Sequence, residues 1–158
     1  MPKVSTCLWF GRDIEAAVGL YVFLVPDSRI DHVQRSPGPW PGGEAGDALL
    51  VTFTLGGQSF QALNGGATAD YGTAASISVA CADQDEVDRL WAALTADGGA
   101  EIMCGWLRDR WGVPWQIVPT ILPRLLADPD PAVAHRVFSA MQTMIKLDVA
   151  ALERAAAG

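Results

Sequence analysis

The chain is 158 residues long, 50% hydrophobic and 18% charged, with a formal net charge of −7. That composition predicts one globular domain (1–158) able to bury about two-thirds of its unfolded surface, and it excludes a disordered chain. The 11 basic residues form no cluster, which argues against a nucleic-acid partner, and no apolar run of about 18 residues supplies a membrane span.

Residues 4–10 are a short apolar run rich in strand formers. Asp13 stands as a helix N-cap before Ile14, Ala17, Val18, Tyr21 and Val22, whose spacing predicts a helix over 14–23. Pro26-Asp27-Ser28 ends it, and residues 29–35 alternate as a strand. Residues 36–46, with three Pro and four Gly, read as a loop with no packing logic of its own. Strands follow over 49–55 and 58–63, with Gly56-Gly57 between them as a two-residue hairpin turn. Residues 64–73, with three Gly, read as a linker within the domain.

The order then begins again. Residues 75–81 form a strand, Asp83 caps a helix, and Val87, Leu90, Trp91 and Leu94 give that helix its apolar face. Gly98-Gly99 terminates it, and strands follow over 101–107 and 113–118. Two β-α-β-β-β halves, roughly 3–66 and 72–119, are offset by about 70 residues, Thr6 to Ser76 and Asp13 to Asp83. The remainder, 120–158, is a helical extension. Leu122, Leu125 and Leu126 share one face, and Asp128-Pro-Asp-Pro131 starts a helix on which Val133, Val137, Met141 and Met144 form a stripe. A last helix, capped by Asp148, covers about 149–157.

Three of the six tryptophans, Trp106, Trp111 and Trp115, fall within residues 104–119 beside Cys104 and Gln116. Asp109-Arg-Trp-Gly112 is a tight turn, with Arg108, Asp109 and Arg110 read as solvated local ion pairs of little energetic meaning. Gln116 is an amide on an otherwise apolar strand, where leaving it unsatisfied costs on the order of a few kcal/mol. Its partner is either a ligand or a structural group. Cys104 reads as a nucleophile or as an inert thiol, and no His lies near it in sequence to activate it. Asn64 before Gly65-Gly66 reads as a turn residue or as part of a cavity rim. Cys7, Cys81 and Cys104 are odd in number and widely spaced, and the N-terminus carries no signal-peptide apolar segment, so a cytoplasmic protein with reduced thiols is expected.

Several segments carry a family resemblance: Cys7-Leu-Trp-Phe10, Glu15-Ala-Ala-Val-Gly-Leu-Tyr21, Phe60-Gln-Ala-Leu-Asn-Gly-Gly66, Glu86-Val-Asp-Arg-Leu-Trp91, Cys104 to Gly112, Pro114-Trp-Gln116 and Asp128-Pro-Asp-Pro131. On these, over essentially the whole chain, the sequence resembles the PhnB-like branch of the glyoxalase/bleomycin-resistance (vicinal-oxygen-chelate) superfamily. The resemblance implies an α+β fold of paired β-α-β-β-β modules forming a U-shaped mixed sheet around a cavity, commonly in a homodimer. Proteins of this branch are often labelled demethylubiquinone methyltransferase. The sequence has no Gly-rich strand-to-helix turn to cradle S-adenosylmethionine, so that label reads as a misnomer here.

Metal-using members of the superfamily place His, Glu or Gln ligands on four strands, and the resemblance puts those positions at Thr6, Phe60 or Gln61, Ser76 and Gln116. Neutral amide and hydroxyl oxygens without an anion bind a divalent cation poorly, so neither a metal nor any other cofactor is expected. His32 and His135 are the two histidines and stand outside this set. The expected ligand-binding residues are Thr6, Leu8, Phe60, Ser76 and Gln116 inside the cavity, with Asn64 and Trp106 near its mouth. Binding of an unidentified small molecule is the first reading. A metal-independent transferase or isomerase is the second; Thr6, Gln61, Ser76 and Gln116 hold no group that titrates near neutrality, which favours binding. A homodimer is expected, its interface drawn from the Val133, Val137, Met141 and Met144 stripe and the tryptophan excess.

Overall fold

A computed structural model describes residues 3–158, which divide into two compact units meeting between Asp70 and Tyr71. The first unit comprises β1 (Thr6–Phe10), α1 (Ile14–Leu24), β2 (Arg29–Arg35), β3 (Ala48–Leu55) and β4 (Gln58–Asn64). Its sheet runs β1-β4-β3-β2, with β1 parallel to β4 and the other pairs antiparallel. The second unit repeats the plan with β5 (Ile77–Cys81), α2 (Gln84–Thr95), β6 (Ala100–Glu101), β7 (Trp106–Arg108) and β8 (Pro114–Pro119), ordered β5-β8-β7-β6. Again the outer pair, β5 with β8, is parallel. The doubled order read from the sequence is the observed one, and the fold is α+β with two four-stranded mixed sheets.

In the first unit, period-two alternation turns Leu8, Phe10, Val51, Phe53, Leu55, Phe60 and Ala62 to one side, where all are buried with Ile14, Ala17, Val18, Tyr21 and Leu24 of α1. Phe53 stacks on Phe60 with ring centroids 5.4 Å apart, and Phe10 meets Tyr21 at 6.5 Å. Burial of each large side chain contributes about 1.5–3 kcal/mol. Gly56 and Gly57 both take positive φ, 53° and 81°, which matches the strand twist of a two-residue hairpin.

Two local expectations change. Asp13 precedes α1, but its φ of 58° leaves the side chain making no cap bond; its carbonyl instead accepts from Ala17 N at 3.0 Å. Asp83, Asp130 and Asp148 do cap, accepting from Glu86 N, Ala132 N and Ala151 N. The strand expected over 101–107 is broken in two. Cys104 (φ 61°) and Gly105 (φ 81°) form a left-handed turn, and a Cβ on Gly105 would lie 2.9 Å from Leu147 Cδ1 and 3.0 Å from the Ile117 carbonyl. Only glycine fits under that leucine.

The loop over 36–46 has packing after all. Ser36 is buried, Trp40 and Gly43 exchange two backbone hydrogen bonds, and the Trp40 ring lies against Gly42 and Gly43. A Cβ on Gly42 would meet Gly66 Cα and Trp40 Nε1, each at 2.7 Å, so those glycines are where this segment closes on the end of β4.

The extension forms α3 (Ile121–Leu126), α4 (Pro131–Met141) and α5 (Val149–Ala157) around buried Leu122, Val137, Leu147 and Leu152. Val133, Met141 and Met144 pack on that cluster. The stripe therefore serves the chain's own core, which removes it as the reason for a dimer. Gln84 ties the extension to α2, donating to the Leu147 carbonyl at 3.2 Å and accepting from Val149 N at 2.8 Å. Lys146 reaches Asp88 at 2.6 Å, and its hydrogen bond, with that of Gln84, holds the Asp88 carboxyl below its ordinary range. No helix among the described residues is long and apolar enough to cross a membrane.

Candidate functional site

Each sheet has one face under its helix and one face turned from it. In the second unit α2 covers Leu107, Trp115 and Ile117, all fully buried, so Trp106, Arg108 and Gln116 alternate to the opposite face. Trp106 pairs directly with Gln116, and Ser78 pairs with Gln116 from the other side. Gln116 Nε2 donates to Ser76 Oγ at 2.8 Å. The structure thus brings Ser76, Trp106 and Gln116 together, although Ser76 stands one residue before β5 rather than on it. Trp115, from the same tryptophan-rich segment, is a core side chain.

In the first unit the alternation runs the other way from the sequence reading. Leu8 and Phe60 lie in the core under α1, and Thr6 pairs with Phe60 and shares that side at the sheet's end. The face turned from α1 carries a cross-strand row, Cys7, Gln61, Thr52 and His32, followed by Trp9, Leu63, Leu50 and Gln34. Trp9 donates its indole N–H to the Ala67 carbonyl at 2.8 Å, and its ring fills the space that a Cβ on Gly65 would take. Asn64 holds the following turn, accepting from Gly66 N and donating to the Ala48 carbonyl, each at 3.3 Å. Cys7, Trp9 and Gln61 were not among the expected ligand-binding residues. Their signal was the alternation itself, had Leu8 and Phe60 been assigned to the core.

The turn at 109–112 is the largest departure from the sequence reading. Asp109 is only 3% exposed. Oδ1 accepts from Trp111 N at 2.9 Å and Val113 N at 3.0 Å, and Oδ2 accepts from Trp115 Nε1 at 3.0 Å. It is a buried carboxylate that closes the turn and anchors Trp115, not a solvated ion pair. Arg110 instead pairs with Asp97 at 2.8 Å and lies 5.1 Å from the Trp111 ring centroid.

A separate cavity of about 720 Å³ opens in the first unit between the start of α1 and the 36–47 segment, lined among others by Arg12, Glu44 and Asp47. Two of its carboxylates are engaged: Glu15 pairs with Arg35 at 2.9 Å and Asp47 accepts from Glu44 N at 2.8 Å.

Cys81 is fully buried beneath α2, and that burial, with Glu86 adding to it, pushes its thiol up to about 12. A protonated thiol there is no nucleophile at neutral pH. Burial also raises Cys7, while Cys104 is half-buried with its backbone N–H on the Met144 carbonyl at 2.7 Å. Among the described residues no group of three or more His, Cys, Asp or Glu side chains is placed to hold a metal ion.

Paired β-α-β-β-β modules with these segments define a PhnB-like protein of the glyoxalase/bleomycin-resistance fold. The family model described as 3-demethylubiquinone-9 3-methyltransferase matches residues 2–118, and the chain belongs to that family. The match ends at the last residues of β8, so α3 to α5 lie beyond it, whereas the sequence resemblance was read over the whole chain. Among solved structures, the PhnB protein from Bacillus cereus is 30% identical over 75% of this chain and 99% of its own, with a TM-score of 0.66. A protein from Pseudomonas aeruginosa is 22% identical over 75% and 98%, with a TM-score of 0.59. A glyoxalase/bleomycin resistance protein from Albidiferax ferrireducens is 18% identical over 75% and 98%, with a TM-score of 0.47. No curated protein matches the chain.

Proposed function

We propose that the protein binds a small organic molecule on the helix-free face of the second unit's sheet, without a metal ion. The carrying observation is the Gln116–Ser76 pair standing beside Trp106. An amide and a hydroxyl fixed against each other next to an indole offer hydrogen bonds and a flat apolar wall, the usual makeup of a small-molecule site. The positions that carry metal ligands elsewhere in the superfamily are hydroxyl, amide or aromatic here, a donor set without an anion or imidazole. The family's methyltransferase name is not carried over. Among the described residues the strand-to-helix junctions, Gly11-Arg12-Asp13, Ala82-Asp83 and Thr120, contain a single glycine and no phosphate-type cradle.

Gln116→Leu tests the reading. The geometry predicts two effects: a stability loss of about 1 kcal/mol from the Ser76 bond, and a ligand affinity lowered by about 1–2 kcal/mol. A thermal-shift screen of aromatic metabolites, followed by calorimetric titration of wild type and variant with each hit, separates the two. Wild-type affinity retained by Gln116→Leu places the ligand elsewhere and defeats the proposal.

A homodimer belongs to the same reading, resting now on large apolar side chains left at the surface, Phe23 at 82% exposure foremost, with Ile30 in the same unit. Light scattering at micromolar concentration should give twice the 16.8 kDa chain mass. A mass of one chain ends that part of the proposal.

A further inference from the structure

We infer that Arg108 makes the helix-free face of the second unit selective for a small organic anion, one with a carboxylate or similar group beside a flat ring. The inference rests on the reading of that face as a ligand site and adds the charge of what it takes. Arg108 stands two residues from Trp106 on β7, and the pairing of Trp106 with Gln116 puts all three on one face. Its Nε is enclosed and meets no acceptor among the described residues.

The acids that could neutralise it are committed elsewhere. Asp109 accepts from Trp111, Val113 and Trp115, Glu101 accepts from Trp91 Nε1 at 2.7 Å, and Asp97 pairs with Arg110. The strand partners of Arg108 are Pro114 and Ala100, which offer no side-chain acceptor. A guanidinium is charged at every accessible pH and presents a fork that matches a carboxylate. Held half-buried without a counter-ion among the described residues, it is a site for one. Trp106 and Arg108 project about 7 Å apart along the strand, a spacing at which a ring on the indole can direct an attached carboxylate to the guanidinium.

Benzoate and its neutral isostere benzamide are the probes, titrated by calorimetry into the full chain at low salt. Wild type should bind benzoate at least tenfold more tightly than benzamide. Arg108→Met should abolish that preference while leaving benzamide unchanged, and Arg108→Gln, which keeps a polar stem, should do the same if the first variant fails to fold. Equal affinity of wild type for the two probes overturns the charge assignment and leaves the face as a site for neutral molecules. A benzoate preference that survives in the folded variants assigns the charge to another residue and overturns it equally. Failure of wild type to bind either probe at millimolar concentration removes both this inference and the aromatic-ligand reading beneath it.

Discussion

Asp109→Ala is expected to destabilise the protein by about 3–5 kcal/mol, measured by denaturant unfolding with the slope unchanged. The substitution leaves two backbone N–H groups and the Trp115 indole N–H without the carboxylate that accepts from all three. Hydrogen bonds to an ionised acceptor are about twice as strong as neutral ones, and an enclosed donor cannot recover its bond from water. Asp109→Asn should cost about half as much. Its remaining oxygen can still serve Trp111 and Val113, but an amide NH₂ then faces the Trp115 donor. A loss under 1 kcal/mol for Asp109→Ala would mean that the turn is solvated, as its Arg-Asp-Arg sequence suggests.

A methyl group on Gly65 has the second large effect. Its φ is ordinary, so the objection is steric alone: the added Cβ would overlap the Trp9 indole. Trp9 must swing off the sheet and lose its 2.8 Å bond to the Ala67 carbonyl. Gly65→Ala should cost about 2–3 kcal/mol by this overpacking. Trp9→Ala in the same chain should relieve most of it, so the double variant will be more stable than the sum of the singles predicts by at least about 1 kcal/mol. Strict additivity in that cycle would mean that the indole does not lie on the glycine.

The element order was legible because its signals are local. Helical spacing in Val87, Leu90, Trp91 and Leu94, the Gly56-Gly57 turn, the Asp83 and Asp148 caps and the helix start at Pro131 each depend on a few consecutive residues, and all appear in the structure. Asp13 shows the limit of that logic. The residue type is right for a cap, but the left-handed backbone that joins β1 to α1 aims its side chain away from the helix. Composition also misled over 36–46, where three prolines and four glycines suggested slack. Gly42 and Gly43 are what allow the Trp40 ring to lie so close to the loop backbone, and Gly42 also admits Gly66.

Alternation in the sequence determined which residues of a strand share a face: Leu8 with Phe10, Phe60 with Ala62, Trp106 with Arg108. It could not determine which face the helix covers, because a period of two is unchanged by turning the strand over. Gln116 lies on the face turned from α2 because its neighbours Trp115 and Ile117 are the larger apolar pair, and the helix took them. Leu8 and Phe60 were placed wrongly because the other face of β1 holds Cys7 and Trp9, apolar enough to have been the buried side. Only the tertiary structure decided that choice, along with the burial of Asp109 and the isolation of Arg108. Each depends on which groups from distant segments arrive to cover a side chain or to neutralise it.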